Sequence, residues 1–530
     1  MTWFTLPATH SGNKAAFADA AGAAAWLAEQ PQANTAAMQP RLLGQIQALN
    51  TSDLPPRERF KILEVLRNTL FTIDADGHRR FENRPIPLWS SEQAALDMAC
   101  QLWRACATAY LHCLRACLDG DPDVAELKAR IAHRALVCLR KEQQNDYLGM
   151  QEAPPDFWGL LHSLWASAEE LGVTSEPVAD RLLGETSEST INGQYAMTLL
   201  LHLARPFELS RSQFSAVTRW LARWREQAEI LPATGLDAKS PGVALDLSLS
   251  APTAAAEGTP GRARWLSTGN ILRKIRKRVA SLEAGESPEG LKLGSSISSK
   301  ASISLLKHLA ENLKNPLPIN VPVPANAPLA KIAVGLEAIY RQLGGKRLKA
   351  AEELTSMSRQ AQEQIAIFGQ AREEAPDKNA VKPEDWLIVE HARSTLRLIR
   401  PAGKGQSRLN NKCLISLQLP DQPNVMLACL SSLCTRSDGS VHAVASIFPG
   451  APAALVAEVR ERPTGKISRH PAFLLPGNNA LGTPTSICLP AGMATRALSV
   501  SLLRDPPVTV RLSTCLDHGS DYEQWIYEAS

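Results

Sequence analysis

From about Leu42 to Leu231 apolar residues recur at spacings of three and four, broken by short polar or proline-containing turns, a pattern that predicts packed amphipathic helices. Residues 1–231 are therefore expected to form an all-α domain. Asp53 ahead of Pro55 and Pro56 offers an N-cap followed by prolines tolerated in a first helical turn, and Phe60, Leu63, Leu66 and Leu70 then make one stripe. Ser90 and Gln93 stand at capping-box spacing before a long helix through Leu96, Trp103, Tyr110 and Leu114. Further helices are expected around Trp158 to Leu171, Tyr195 to Leu203 and Gln213 to Glu229.

Over residues 232–261 the chain turns rich in Ala, Pro, Gly, Ser and Asp, with only the short run ALDLSL, which predicts a flexible linker. Residues 262–315 read as a helical connector. In it Leu272, Ile275, Val279 and Leu282 stripe an amphipathic helix over 271–282, whose other face carries Arg273, Lys274, Arg276, Lys277 and Arg278. Such a face is either solvated or a docking surface for an anionic lipid or acidic partner. Pro316 to Pro328 is too proline-dense for a helix and suits an extended entry to a sheet edge. The run LAKIAVGLEAIYRQL then passes from strand-like to helix-like, and Leu348 to Phe368 reads as helical.

Beyond that point the period changes to two. Cys413, Ile415 and Leu417 alternate with Leu414, Ser416 and Gln418; Leu498, Val500 and Leu502 alternate with serines; Val508, Val510 and Leu512 alternate with Thr509 and Arg511. Short strands at this spacing predict a small barrel or sandwich. The expected fold class is thus α + β and multidomain.

The 530 residues allow roughly three domains of about 150 residues each. A net charge of +4 from 57 basic and 53 acidic residues gives no whole-chain field for nucleic acid, so any anion site must be local. The first residues, MTWFTLPATHSGNK, lack a basic leader and an apolar core of signal length, and no run approaches eighteen apolar residues. A cytoplasmic protein without a transmembrane segment is expected. Ten cysteines then read as reduced thiols, with Cys106, Cys113 and Cys117 on one helical face as packing residues. No Cys-x-x-Cys pair and no His-Glu-x-x-His spacing occurs, so no metal is expected. Gly344-Gly345-Lys346 is followed by Arg347 where a P-loop needs Ser or Thr, and no Gly-x-Ser-x-Gly elbow occurs, so no catalytic residue is assigned.

The strand-rich tail opens on WLIVEHARSTLRLIR, Trp386 to Arg400. This run resembles the second strand and turn of a PilZ-type barrel; with KIAVGLEAIYRQLGG before it, the likeness spans about 316–460 and extends more weakly along the helical front. The resemblance implies a small β-barrel over 316–460 with a helical insertion at about 336–383, further strands over 461–530, and kinship with bacterial effectors of cyclic di-GMP. In that family the turn reads Asp or Asn, any residue, Ser, any two residues, Gly; the aligned places here hold Glu390, Ala392 and Thr395. The family's paired arginines precede the first strand, which on this alignment is Pro316 to Pro328 and holds none.

Arg393, Arg397 and Arg400 cluster at the aligned turn and the strand after it, with Lys404 and Arg408 nearby, and guanidinium groups fork onto phosphates. Arg-x-x-x-Arg also occurs at Arg80/Arg84, Arg130/Arg134 and Arg219/Arg223, where it reads as ordinary helix-surface spacing. The ligand-contacting residues expected from the resemblance are Glu390, Arg393, Thr395, Arg397 and Arg400. Their ligand would be cyclic di-GMP, with affinity weakened or lost through the altered motifs, and no other cofactor is expected. The function expected is that of a non-enzymatic regulator that meets other proteins through its helical domain or barrel surface and does not bind nucleic acid. The alternatives are an adaptor or scaffold that has lost the nucleotide and, third, an enzyme of unknown type.

Overall fold

Leucine and alanine stripes at helical spacing bury one another across the front of the chain. The computed structural model describes every residue except 1–3, 13–14, 32–33, 185–187, 234–239, 255–258, 260, 315–322, 346–381, 406, 461–466, 479–481, 495–498, 505 and 530. Two units divide the chain, one of residues 1–84 and 88–319 and one of residues 85–87 and 320–530.

The first unit holds α1 (Ala20–Glu29), α2 (Thr35–Thr51), α3 (Pro56–Gly77), α4 (Ser90–Leu118), α5 (Lys128–Leu148), α6 (Phe157–Glu170), α7 (Ile191–Leu203) and α8 (Arg211–Trp224). Two helix starts differ from expectation. Pro55 occupies the N-cap of α3 without a side-chain cap, while the Asp53 amide donates to His10. At α4 the N-cap is Trp89, whose amide donates to Glu92 Oε2 at 2.9 Å, so the helix start is closed from one side by Glu92 and not by Ser90 with Gln93. Helix α5 packs against α4, α6 and α7. It is enclosed enough that His133, Arg134, Arg140, Gln143, Asn145 and Asp146 are all buried along with its apolar residues. Buried polar groups need partners, so this helix dictates a polar network in the core.

The segment 232–261, expected to be a linker, contains a strand. Strands β3 (Glu229–Pro232), β4 (Gly242–Asp246) and β5 (Ala263–Ser267) form an antiparallel sheet with β5 in the middle; a short β1 (Val178–Ala179) and β2 (Glu188–Ser189) pair earlier in the chain. Val243, Leu245 and Leu266 are buried, which gives this small sheet a core that composition alone conceals. Asp246 ties the following loop by accepting from the Ser248 and Thr259 amides at 2.9 and 2.8 Å. Helices α9 (Gly269–Glu283) and α10 (Ser299–Lys314) pack on each other, and α9 buries the expected apolar stripe; the supposed connector is part of the helical unit.

In the second unit β6 (Leu329–Val334) leads into α11 (Leu336–Gln342), the passage from strand to helix that the pattern predicts. The first strand is therefore Leu329–Val334 and not the proline-rich 316–328, part of which lies outside the described residues, as does the helix expected over 348–368. With β7 (Glu384–His391), β8 (Thr395–Arg400), β9 (Leu414–Gln418), β10 (Val425–Thr435) and β11 (Val441–Ile447), β6 closes an antiparallel barrel in the order β10-β11-β8-β7-β6-β9. Trp386 pairs with Ala330 inside it and is fully buried.

A second closed barrel follows. It comprises β12 (Ala453–Arg460), β13 (Ile467–Leu475), β14 (Ser486–Pro490), β15 (Ser499–Leu503), β16 (Val508–His518) and β17 (Tyr522–Ala529), ordered β12-β13-β14-β17-β16-β15. The boundary expected at 460 thus moves before Ala453, and the tail is a barrel in its own right, not an addition to the first. Val459, Ile487, Val500 and Val510 fill its interior. A separate cluster, with Leu414, Leu427 and Cys429 from the first barrel and Phe473, Cys488 and Tyr522 from the second, welds the two. This explains why β9 is buried on both faces and does not alternate in exposure.

Candidate functional site

At the end of the first barrel β7 and β8 are joined by a tight turn in which the Ala392 amide donates to Thr395 O at 2.9 Å. Arg393 is exposed on this turn; Thr395 is half-buried at the start of β8, opposite Ser446. Glu390 and Arg397 face each other across the strands and form an ion pair at 2.9 Å, both partly open to solvent. The structure therefore brings Glu390 and Arg397 together and sets Arg393 and Thr395 beside them.

Arg400 goes elsewhere. Its side chain is 3% exposed, and its Nη1 donates to Glu384 Oε2 at 3.3 Å and to the Ser407 carbonyl at 2.7 Å. Glu384 also accepts from Trp386 Nε1 at 3.1 Å and from the Ser407 amide at 2.9 Å. The Arg400 guanidinium lies over the Trp386 ring, and Gly405 leaves the room: a Cβ there would stand 2.5 Å from Arg400 Cδ. This ensemble pins the loop after β8 to the barrel. Arg408 is likewise engaged, donating to the carbonyls of Pro85 and Pro87.

The densest polar chemistry lies in the helical unit, where sequence spacing assigned none. Asp180 accepts from Arg67 Nη2 at 2.6 Å and Arg134 Nη1 at 2.8 Å, and all three residues are buried. Burial opposes the Asp180 charge, yet the hydrogen bond from Arg67 and the charge of Arg134 hold its carboxyl below the usual range. Arg134 Nε also reaches Glu64, which accepts from Tyr110 Oη at 3.0 Å. Arg134 is thus an interior residue, whereas its partner in the Arg-x-x-x-Arg spacing, Arg130, is exposed. A second knot centres on buried Asp74, which receives Trp103 Nε1 at 2.7 Å, Asn145 Nδ2 at 3.0 Å and Lys141 Nζ at 3.0 Å.

Arg140, buried on α5, donates from Nε to Gln194 Oε1 at 3.1 Å; Gln194 Nε2 donates to Ser189 Oγ at 2.8 Å. His133 Nε2 meets the same Ser189 oxygen at 2.7 Å. Burial first, and then the charge of Arg134, push the His133 imidazole down to about 3, so it is neutral at physiological pH. The signal that could have pointed here is α5 itself, whose polar residues fall on every side of a helix that its neighbours enclose.

Cys106 and Cys113 are fully buried, and burial pushes the Cys113 thiol up to about 12, as expected of packing residues. Among the described residues no cluster of His, Cys, Asp or Glu could hold a metal ion, and no helix is long and apolar enough to cross a membrane.

Residues 20–234 match the family described as the N-terminal domain of the cyclic-di-GMP receptor FimW. A curated relative, the cyclic-di-GMP receptor FimW of Pseudomonas aeruginosa, is 26% identical over 210 residues. The alignment covers 39% of this chain and 35% of the relative, so the chain spans about a third of that protein's length. No solved structure matches. The family match falls on the helical unit and ends before the barrels, whereas the sequence resemblance was strongest over the first barrel.

Proposed function

We propose that this chain is a non-enzymatic regulator in cyclic di-GMP signalling that passes its state to other proteins by contact. The observation carrying this reading is the likeness of residues 20–234 to the N-terminal domain of a cyclic-di-GMP receptor. On the barrel the PilZ-like site is degenerate. Arg397 is paired with Glu390 and Arg400 with Glu384, which leaves Arg393 of the three as an exposed guanidinium with no ion pair among the described residues. A charge-assisted hydrogen bond to phosphate contributes about 1.5–3 kcal/mol, so losing two such contacts weakens binding on the order of a hundredfold or more.

Calorimetric titration of the full chain with cyclic di-GMP at low salt tests both parts. Weak saturable binding that survives Arg393→Ala is the expected result. Submicromolar binding abolished by Arg393→Ala would refute the degenerate barrel site. Complete absence of binding would favour the second reading, an adaptor that has lost the nucleotide, which the engagement of Arg397 and Arg400 within the barrel also favours.

A further inference from the structure

Four guanidinium groups of the helical unit, those of Arg67, Arg134, Arg140 and Arg225, are buried around Asp180. Three of them have a carboxylate in reach: Arg67 and Arg134 share Asp180, and Arg225 Nε meets Glu226 Oε1 at 3.3 Å. Arg140 differs. Only 7% exposed, it makes no ion pair with a described residue, and its hydrogen bond is the one from Nε to Gln194. A guanidinium carries five N–H donors, so the four on its Nη atoms have no acceptor among the described residues. Burying a cation without a counter-charge is costly. The cost is visible here, since burial and the nearby charge of Arg225 draw the Arg140 guanidinium down to about 10 against the opposing pull of Asp180 and Asp74, neither of which pairs with it.

A second donor flanks the same amide. Arg134 Nη1 donates to His133 Nδ1 at 3.3 Å, which places the ring proton on Nε2 and directs it to Ser189 Oγ. Gln194 Nε2 points at that oxygen as well. With two donors aimed at its oxygen, the Ser189 hydroxyl is left to donate its own proton. Gln194 therefore holds an unspent cation at its carbonyl end and an unspent hydroxyl donor at its nitrogen end.

We propose that Arg140 and Ser189, held in place by Gln194, bind a small phosphate-class anion within the helical unit. The anion supplies the missing negative charge, and either free phosphate or a phosphate group of a nucleotide has the required chemistry. This inference stands independently of the cyclic di-GMP reading.

The test is thermal unfolding of the full chain in phosphate-free buffer, with inorganic phosphate or cyclic di-GMP titrated against chloride at constant ionic strength. A ligand that binds only the folded state raises Tm in proportion to the logarithm of its concentration above Kd. The wild type is expected to show this rise with phosphate. Arg140→Met, which removes the buried charge that has no ion-pair partner, is expected to match or exceed the wild-type Tm in chloride and to lose the phosphate response. Ser189→Ala keeps the cation and should weaken the apparent phosphate affinity by about tenfold, the equivalent of one good hydrogen bond; it also decides the matter if Arg140→Met does not fold. A response to cyclic di-GMP without one to phosphate, lost in the same variants, would assign the site to a nucleotide phosphate. A wild type indifferent to both, or variants that respond as the wild type does, would overturn the proposal.

Discussion

The guanidinium of Arg400 lies over the indole of Trp386, 5.5 Å from the ring centroid, and both side chains donate to Glu384. Arg400 is thus the counter-charge of a buried carboxylate and the lid of a buried ring. Removing it strands Glu384, and breaking a buried pair on one side costs about 3–5 kcal/mol. Arg400→Ala should therefore lower the stability of the second unit by that order in chemical denaturation. Combining it with Glu384→Gln should recover part of the loss. Full stability of the single variant would show that the cluster does not hold the barrel.

The tip of the β16–β17 hairpin gives a second prediction. Gly519 sits so close to the first barrel that a Cβ would stand 2.1 Å from the Lys412 carbonyl oxygen, and the Ser520 amide donates to that same oxygen at 2.9 Å. Beside it Asp521 Oδ1 accepts from the Leu414 amide at 2.8 Å. A backbone oxygen cannot move aside cheaply, so Gly519→Ala should cost about 1–3 kcal/mol through overpacking. Hydrogen exchange at the Ser520 amide should quicken in the variant; unchanged exchange and stability would count against this weld between the barrels.

The helical unit should lose stability in mild acid. His133 is held near 3 by burial and by Arg134, while His112 and His202 are held near 4, chiefly by burial. In the unfolded chain an imidazole takes up its proton near pH 6.5, so between that pH and the folded values the unfolded state binds more protons. Stability therefore falls as pH drops below about 6.5. At pH 5.5 His133 alone contributes a loss of about 1.4 kcal/mol. Glu142 and Asp146, whose carboxyls burial pushes up, work in the opposite sense, a contribution that a variant at His133 shares with the wild type. Comparison with His133→Gln isolates the imidazole: the drop in unfolding free energy between pH 7.5 and 5.5 should shrink by about that amount, and an equal drop in both proteins would contradict a neutral, buried His133.

The features legible in the sequence are those with strong local periods. The stripe Phe60, Leu63, Leu66 and Leu70 announced α3, and the run from Trp386 announced paired strands. The β4 strand was hidden because its five residues lie in a Pro- and Gly-rich stretch and gain their burial only from pairing with β5. In the second barrel β13 carries Pro471 in mid-strand, opposite Val456, where a proline ordinarily argues against a strand. The polar interior was also concealed, since Arg134 and Arg140 look like surface arginines until Asp180 and Gln194, each more than forty residues away in sequence, come to meet them. On the barrel turn, period two puts Arg397 on the face opposite Leu396 and Leu398 and Arg400 on the same face as those two leucines; the burial follows that period as far as Leu398 and again at Arg400, and departs from it at Ile399, which is buried on the face of Arg397.

The pair Glu390 and Arg397 yields the last prediction, which rests on the barrel being a relic of a cyclic di-GMP site. At 2.9 Å, with Glu390 half exposed, the pair adds little stability, about 0–1 kcal/mol. Its larger effect is on what Arg397 can do, because a carboxylate on the guanidinium competes with any phosphate. Glu390→Gln should therefore leave the unfolding midpoint nearly unchanged while freeing Arg397 to act with exposed Arg393. Each regained charge-assisted contact is worth about 1.5–3 kcal/mol, so affinity for cyclic di-GMP at the turn should rise by about tenfold or more, with a steeper dependence on salt. Calorimetry on Glu390→Gln and on Glu390→Gln/Arg397→Ala decides it: a gain that the second substitution cancels assigns the effect to Arg397, and no gain in the first would mean that the turn no longer presents a phosphate site.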